Sequence, residues 1–241
     1  MANSYYVPGE ERAGRVHKLF GAIAARYDLL NDLQSFGLHR IWKRKLVRLL
    51  DLAPGERALD LCSGTGDIAI AMARRGASVV GLDFSSEMLA VARRKAAATS
   101  MEISWQQGDA RALPFEPGEF SIVTIGYGLR NLPSPVEGLR EMGRVLQPGG
   151  RVGILDFGKP PNRFWQRLFF GYLWIAVPCF GRCFAGDAEA YAYILESLRH
   201  YPGQQEIARI MEREGFMNVR VLNLLGGTMA IHLGRRGDSH G

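Results

Sequence analysis

Three acids and a pair of glycines could carry most of this chain's chemistry. In "ALDLCSGTGD" (58–67), Asp60 stands four residues ahead of Gly64, and Gly66 completes a D-x-x-x-G-x-G spacing. A glycine turn between strand and helix aims backbone N–H groups and a helix N-terminus at a ligand, with no Cβ in the way. Asp83 closes the next apolar run, "SVVGLD". A carboxylate there can accept both hydroxyls of a ribose. Asp109, in "QQGDARALPF", follows a third run, where it can meet an adenine amino group. A dinucleotide and S-adenosylmethionine both fit a turn of this kind. The dinucleotide fingerprint asks for a third glycine where Ala69 stands, and alanine is tolerated there, so spacing alone is neutral. Charge decides. A pyrophosphate would face three carboxylates, whereas a sulfonium and an ammonium would be offset by them. The pattern points to S-adenosylmethionine.

These residues need a scaffold. The short runs 58–61, 78–83, 103–105, 120–127 and 151–157 read as strands, with helices expected near 66–75, 85–98 and 134–146, the last stopped by "QPGG". That alternation implies an α/β fold, a Rossmann-like parallel sheet with helices on both faces. At 241 residues and 47% hydrophobic content, a single domain is expected. Residues 1–50 form an N-terminal helical lid, 51–159 the donor-binding core and 160–200 a helical, aromatic-rich insertion. Residues 201–234 close the sheet, "VRVLNLL" and "GTMAIHLG" pairing as a hairpin, and 235–241 form a disordered tail. In "GLHRIWKRKLVRLL", Leu38, Ile41, Trp42, Leu46, Leu49 and Leu50 keep a helical rhythm, with basic residues between them.

With these residues in view, the chain resembles the class I S-adenosylmethionine methyltransferases, and more narrowly the demethylmenaquinone/ubiquinone C-methyltransferases of quinone biosynthesis. "YDLLNDLQSFGLHRIWKR" resembles that family's first signature, and "RVLQPGGRVGILDFGKP" its second. "LDLCSGTGD", "DARALPF" and "IGYGLRNL" resemble its donor-site and strand-four segments. The resemblance implies donor contacts from Thr65, Asp83, Asp109 and Ala110, beside Asp60, Gly64, Gly66 and, at the end of strand four, Gly126. Asp156 and Gly158 depart from the family's usual glutamate and serine, and Ser63 from a frequent glycine.

The acceptor implied by that resemblance is a polyprenyl quinol. Its ring carbon becomes nucleophilic when the neighbouring hydroxyl loses a proton. Arg130, permanently charged, suits holding the phenolate or orienting a water. Asn131 suits hydrogen bonding to a quinol oxygen. A structural alternative for Arg130 is an ion pair with Asp156 or Glu141, and for Tyr127 plain core packing. His39 is a candidate proton acceptor but reads more simply as solvated or capping, and His232 as structural. Tyr27, Asp28, Asn31 and Asp32 belong to the lid, though "NDLQSFG" also reads as capping and turn chemistry.

Cys62, Cys179 and Cys183 have no metal-ligand spacing, so no metal is expected, and so sparse a set fits a reducing cytoplasm. "MANSYYVPGEERAGR" lacks the apolar core of a secretory signal. "LFFGYLWIAVPCFG" has 14 uncharged residues, short of the about 20 needed to span a bilayer. It reads as a buried helix or as a mouth for a prenyl tail. The net charge of +6 and the basic helix 38–50 suit an anionic membrane surface. A cytoplasmic protein, peripheral on the inner face of the cytoplasmic membrane, is expected, and a homodimer is compatible with this. Nucleic acid is not the expected partner, because "GYGLRN" stands where base amino-methyltransferases carry (N/D)PP(Y/F). Methylation of another lipid or small molecule is the competing activity, and a noncatalytic subunit of a quinone-biosynthesis assembly the competing class.

Overall fold

In the computed structural model, which describes residues 21–180, 197–198 and 200–237, the chain enters through α1 (Tyr27–Ser35) and α2 (Leu38–Leu49). It then alternates through β1 (Arg57–Leu61), α3 (Asp67–Ala73), β2 (Ser78–Asp83), α4 (Ser86–Ala98), β3 (Ile103–Gln107) and β4 (Phe120–Gly126). α5 (Pro135–Val145), β5 (Leu146–Phe157), α6 (Arg163–Phe180), α7 (Gln204–Arg213), β6 (Phe216–Leu224) and β7 (Met229–Arg236) complete it. The strands form one sheet in the order β3-β2-β1-β4-β5-β7-β6. β1 to β5 are parallel, and β7 runs antiparallel to both β5 and β6. The order reverses at β1, which pairs with β2 on one side and β4 on the other. Sheets of this kind bind ligands outside the carboxyl ends of their strands at such a switch point.

Local sequence explains the element boundaries. Ser85 caps α4 by accepting the Met88 N–H at 3.2 Å, and Ser134 caps α5 from Glu137 with Pro135 in the first turn. The two-residue period of β1 sends Leu59 and Leu61 to one face of the sheet, Ala58 and Asp60 to the other. Leu139 and Met142 of α5 and Met211 of α7 close over the first face; Leu46 of α2 and Ile68 and Met72 of α3 close over the second. All six are buried.

Several expectations need correction. β5 begins at Leu146, so "QPGG" lies in the strand instead of merely stopping α5. Arg235 and Arg236, assigned to the tail, continue β7, and Arg235 donates to the Gly149 carbonyl at 3.1 Å. On α2 the inward stripe is His39, Lys43 and Leu46, continued by Leu50 just past its end, whereas Ile41 is exposed. The first 20 residues of the expected lid, the stretch 181–196, and residues 199 and 238–241 lie outside the described residues.

Candidate active site

Two cavities adjoin at the carboxyl ends of the strands. The first is walled by Gly64, Asp83, Asp109, Ala110, Gly126 and Asn131. Asp83 bridges the two turns that follow β1 and β2. Its Oδ2 accepts the Gly64 N–H at 2.7 Å and its Oδ1 the Ser85 N–H at 2.9 Å. Asp109 accepts the Arg111 N–H at 2.9 Å and the same residue's guanidinium at 2.8 Å. Burial raises the Asp109 pKa, but those hydrogen bonds outweigh it and hold the carboxyl below its ordinary value. Gly66 caps α3 at φ 84°, and a Cβ there would lie 2.6 Å from the Trp105 ring. Only glycine fits.

Behind this turn, charged groups tie the N-terminal helices to the sheet. The Thr65 hydroxyl donates to Asp28 Oδ1 at 2.6 Å. Lys95 Nζ donates to Asp28 Oδ2 at 2.6 Å and to Asp67 Oδ1 at 2.5 Å. Lys43 Nζ reaches Asp67 Oδ2 at 2.9 Å. Burial opposes ionisation of both Lys43 and Asp67, yet their mutual attraction, with Lys95 on Asp67, raises the lysine and lowers the acid. Both stay charged. Asp60 sits deeper still, 1% exposed, accepting from the Ala69 N–H at 3.0 Å and the Thr124 hydroxyl at 2.8 Å.

The second cavity, of about 390 Å³, is mostly apolar. Leu30 of α1, Trp42 of α2, Phe157 of β5 and Phe169 and Leu173 of α6 contribute its walls. Tyr27 and Tyr127 line both cavities and stand between them. Arg130 is 8% exposed; its Nη1 donates to the Tyr127 carbonyl at 2.7 Å and to Asp156 Oδ1 at 3.2 Å, and its guanidinium lies 4.8 Å from the Phe157 ring centroid. Asp156 also accepts the backbone N–H groups of Arg130 and Phe157. His39 joins this wall, with Nε2 2.8 Å from Asp32 Oδ1. Asp32 is further held by Arg40, whose side-chain hydrogen bonds lower its pKa well below the usual carboxylate range.

A profile of the ubiE/COQ5 methyltransferase family matches residues 8–236. The chain belongs to that family. It is an S-adenosylmethionine-dependent methyltransferase. A protein of Ruegeria sp. (strain TM1040) named ubiquinone/menaquinone biosynthesis C-methyltransferase UbiE is 41% identical over 233 residues, 95% of this chain and 93% of that one. A demethylmenaquinone methyltransferase of Staphylococcus aureus (strain JH9) is 41% identical over 224 residues, 91% and 92% of the two chains. A SAM-dependent methyltransferase from Aquifex aeolicus shares the fold, with a TM-score of 0.62 at 16% identity over 89% of this chain and 97% of that one.

The residues present in this methyltransferase fit the methyl donor. Asp83 has its carboxylate at the end of β2, and Gly64 and Gly126 bring bare backbone to the same hollow. Gly64, Asp83, Asp109, Ala110, Gly126 and Asn131 are brought together in the first cavity; Asp60, Thr65 and Gly66 are not. Asp60 projects to the sheet face beneath α3, outside the lining of the first cavity, though near enough for its charge to act on Asp83 and Cys62 of that lining. The Thr65 hydroxyl is turned onto Asp28. Arg130 and Asn131, neighbours in sequence, are divided between the second cavity and the first. The ion pair of Arg130 with Asp156 exists, while Glu141 is taken by Arg144. His232 is buried, with Nε2 2.8 Å from the Gln204 carbonyl. Lys43, expected to face headgroups, instead holds the donor turn. The four-, three- and four-residue spacing of His39, Lys43, Leu46 and Leu50 could have revealed its burial. Among the described residues no cluster of His, Cys, Asp or Glu could hold a metal ion.

Proposed function

We propose that this enzyme methylates a ring carbon of a demethylated polyprenyl quinol, demethylmenaquinol first, at the surface of a membrane. The supporting observation is the apolar cavity against the donor hollow, with Arg130 in its wall and two tyrosines between. When bound, S-adenosylmethionine supplies an electrophilic methyl group. Asp83 takes the ribose hydroxyls, Asp109 and the Ala110 backbone the adenine, and Gly64 and Gly126 allow close backbone approach. Asp60, Thr65 and Gly66 hold the turn from behind. Arg130 keeps its Asp156 partner and turns its remaining positive field to a phenolate forming in the cavity, a preorganised stabiliser needing no rearrangement. Asn131 aligns the two substrates from the donor side.

The mouth of the cavity favours a lipid-borne substrate. Phe36 (81% exposed), Leu168 and Leu225 line the cavity and also face solvent. Arg44, Lys45 and Arg48 on α2 are exposed and suit anionic headgroups. No described helix is long and apolar enough to cross a membrane. Mass spectrometry of the quinone pool in cells lacking the gene tests this reading. Accumulation of a demethylated quinone is expected, and an unchanged pool would refute it.

A further inference from the structure

The acceptor cavity holds a histidine that the roles of Arg130 and Asn131 leave idle. His39 is 3% exposed, lines the cavity, and offers its two ring nitrogens to very different surroundings. Nε2 is anchored on Asp32, an ionised carboxylate that can only accept, so the proton of the neutral ring sits on Nε2. Nδ1 therefore carries the lone pair. It is buried and has no hydrogen-bond partner among the described residues. Buried polar atoms are seldom left unpaired, and this one belongs to a residue of the cavity wall, so a small shift of the ring or of the side chains over it opens it to a donor. In a wall that is mostly apolar but also carries Asn31, Gln34, Ser35, Arg130 and three tyrosines, the hydroxyl of a bound phenol is such a donor. We propose that His39, oriented by Asp32, is the proton acceptor of the methyl-transfer reaction, an inference that rests on the quinol reading above.

The step balances. The quinol O–H bond breaks and an N–H bond forms on His39. The ring carbon, now electron-rich, forms its bond to the methyl group as the S–CH3 bond breaks, its electron pair leaving with sulfur. The ring C–H proton is then lost to water, aromaticity returns, and the imidazolium gives its proton back to the phenolic oxygen. One proton is released per turnover, and no oxidant or reductant is consumed. Arg130 in the same wall cannot serve as the base, because a guanidinium keeps its proton. The charges around His39 are Asp32 on α1, with Arg40 bound to it, Lys43 on its own helix, and Asp67 on α3. Burial and then Lys43 lower the imidazole pKa against the pull of the two acids. The neutral, basic form is therefore retained near neutral pH.

The test uses purified enzyme, S-adenosylmethionine and a chemically reduced short-chain demethylmenaquinone between pH 5 and 9. Wild-type kcat/KM should fall on the acid side with the protonation of one group. His39→Gln, whose amide can still donate to Asp32 but takes up no proton, should lose about 10²-fold in kcat. It should also lose the acid limb, and gain rate as pH rises toward the phenol's own pKa of roughly 10. Donor affinity by calorimetry should stay within about twofold. Nitrogen NMR of labelled wild type, which needs no variant to fold, should show the Nε2–H form, titrating at the pH of the acid limb. A retained limb with kcat within a few-fold in His39→Gln, or the Nδ1–H form in wild type, overturns the assignment. Wild type inactive on every demethylated quinol removes the substrate reading and this proposal together, whereas an active wild type with an unaffected variant removes this proposal alone.

Discussion

Replacing Asp60 by asparagine should stabilise the enzyme above neutral pH and do nothing at pH 5. Burial raises its pKa, partly offset by the hydrogen bonds from Thr124 and Ala69 and by Lys43, and the net value is pushed up to about 7 from 3.8. A rise of about three units corresponds, at about 1.4 kcal/mol per unit, to about 4 kcal/mol. Because the folded-state pKa is the higher one, the native state keeps a proton that the unfolded chain has released. The favourable contribution is complete below pH 3.8 and is lost as the pH climbs to about 7. Asparagine never ionises. Its carbonyl can accept the Ala69 N–H, while its amide meets a Thr124 hydroxyl that must turn toward the Leu59 carbonyl 3.4 Å away. That rearrangement should cost about 1–2 kcal/mol at any pH. At pH 5 the wild-type carboxyl has lost about as much, so the two proteins should match. At pH 8 Asp60→Asn should be ahead by about 2–3 kcal/mol. Urea unfolding followed by tryptophan fluorescence at both pH values measures the difference. A variant less stable by the same margin at pH 5 and pH 8 would refute the reasoning, since the buried acid would then be comfortably ionised.

Asp83→Ala should weaken S-adenosylmethionine binding by about 1–3 kcal/mol, the scale for unpairing buried polar groups, because the N–H groups of Gly64 and Ser85 lose their acceptor with the ribose; calorimetry with unchanged affinity would refute this. Arg130→Ala should lower turnover on the reduced quinol by about 10²–10³ with little change in donor affinity, and Arg130→Lys should restore only part because a point charge lacks the planar fork. Wild type should leave the oxidised quinone unmethylated, since that ring has no hydroxyl to ionise; equal rates on both forms would exclude a phenolate route. Vesicles containing anionic lipid should retain the protein at low salt and release it at high salt, where charges are screened beyond about 3 Å at 1 M; recovery in the supernatant regardless of lipid charge would count against membrane docking.

That Asp83, Asp109 and Gly64 would gather at one edge of the sheet was legible in the sequence because each acid follows a short apolar run. Asp83 and Asp109 occupy positions that a local pattern places at one edge of a parallel sheet. Asp60 shows the limit of that logic. Its place in β1 could be read, but its facing depends on the two-residue alternation, which turns it beneath α3 and away from the hollow. The hydrogen bond of the Thr65 hydroxyl was illegible for a different reason. Its partner Asp28 lies 37 residues earlier, and no local pattern announces such a contact. On α2 the charges masked the geometry. Lys43 reads as solvated by composition, yet it shares a helix stripe with Leu46 and Leu50, and Asp67 makes its burial tolerable. His39 shares the stripe, and its pairing with Asp32 needed the turn at Phe36 and Gly37 to fold α1 back beside α2.

The strand order has a consequence for how the molecule is made. β7 lies between β5 and β6, although it is the last of the three to leave the ribosome. Until residues 229–236 emerge, the 12-residue β5 presents an open edge. Such an edge is a template for pairing with another chain, and incomplete intermediates of this size are prone to aggregate. Vectorial synthesis thus delivers the donor hollow's strands well before the piece that seals the sheet. A nascent chain stalled or cut ahead of Met229 would be a client for chaperones instead of a smaller enzyme, and a fusion partner placed just after Arg236 would sit close to the strand on which final closure depends.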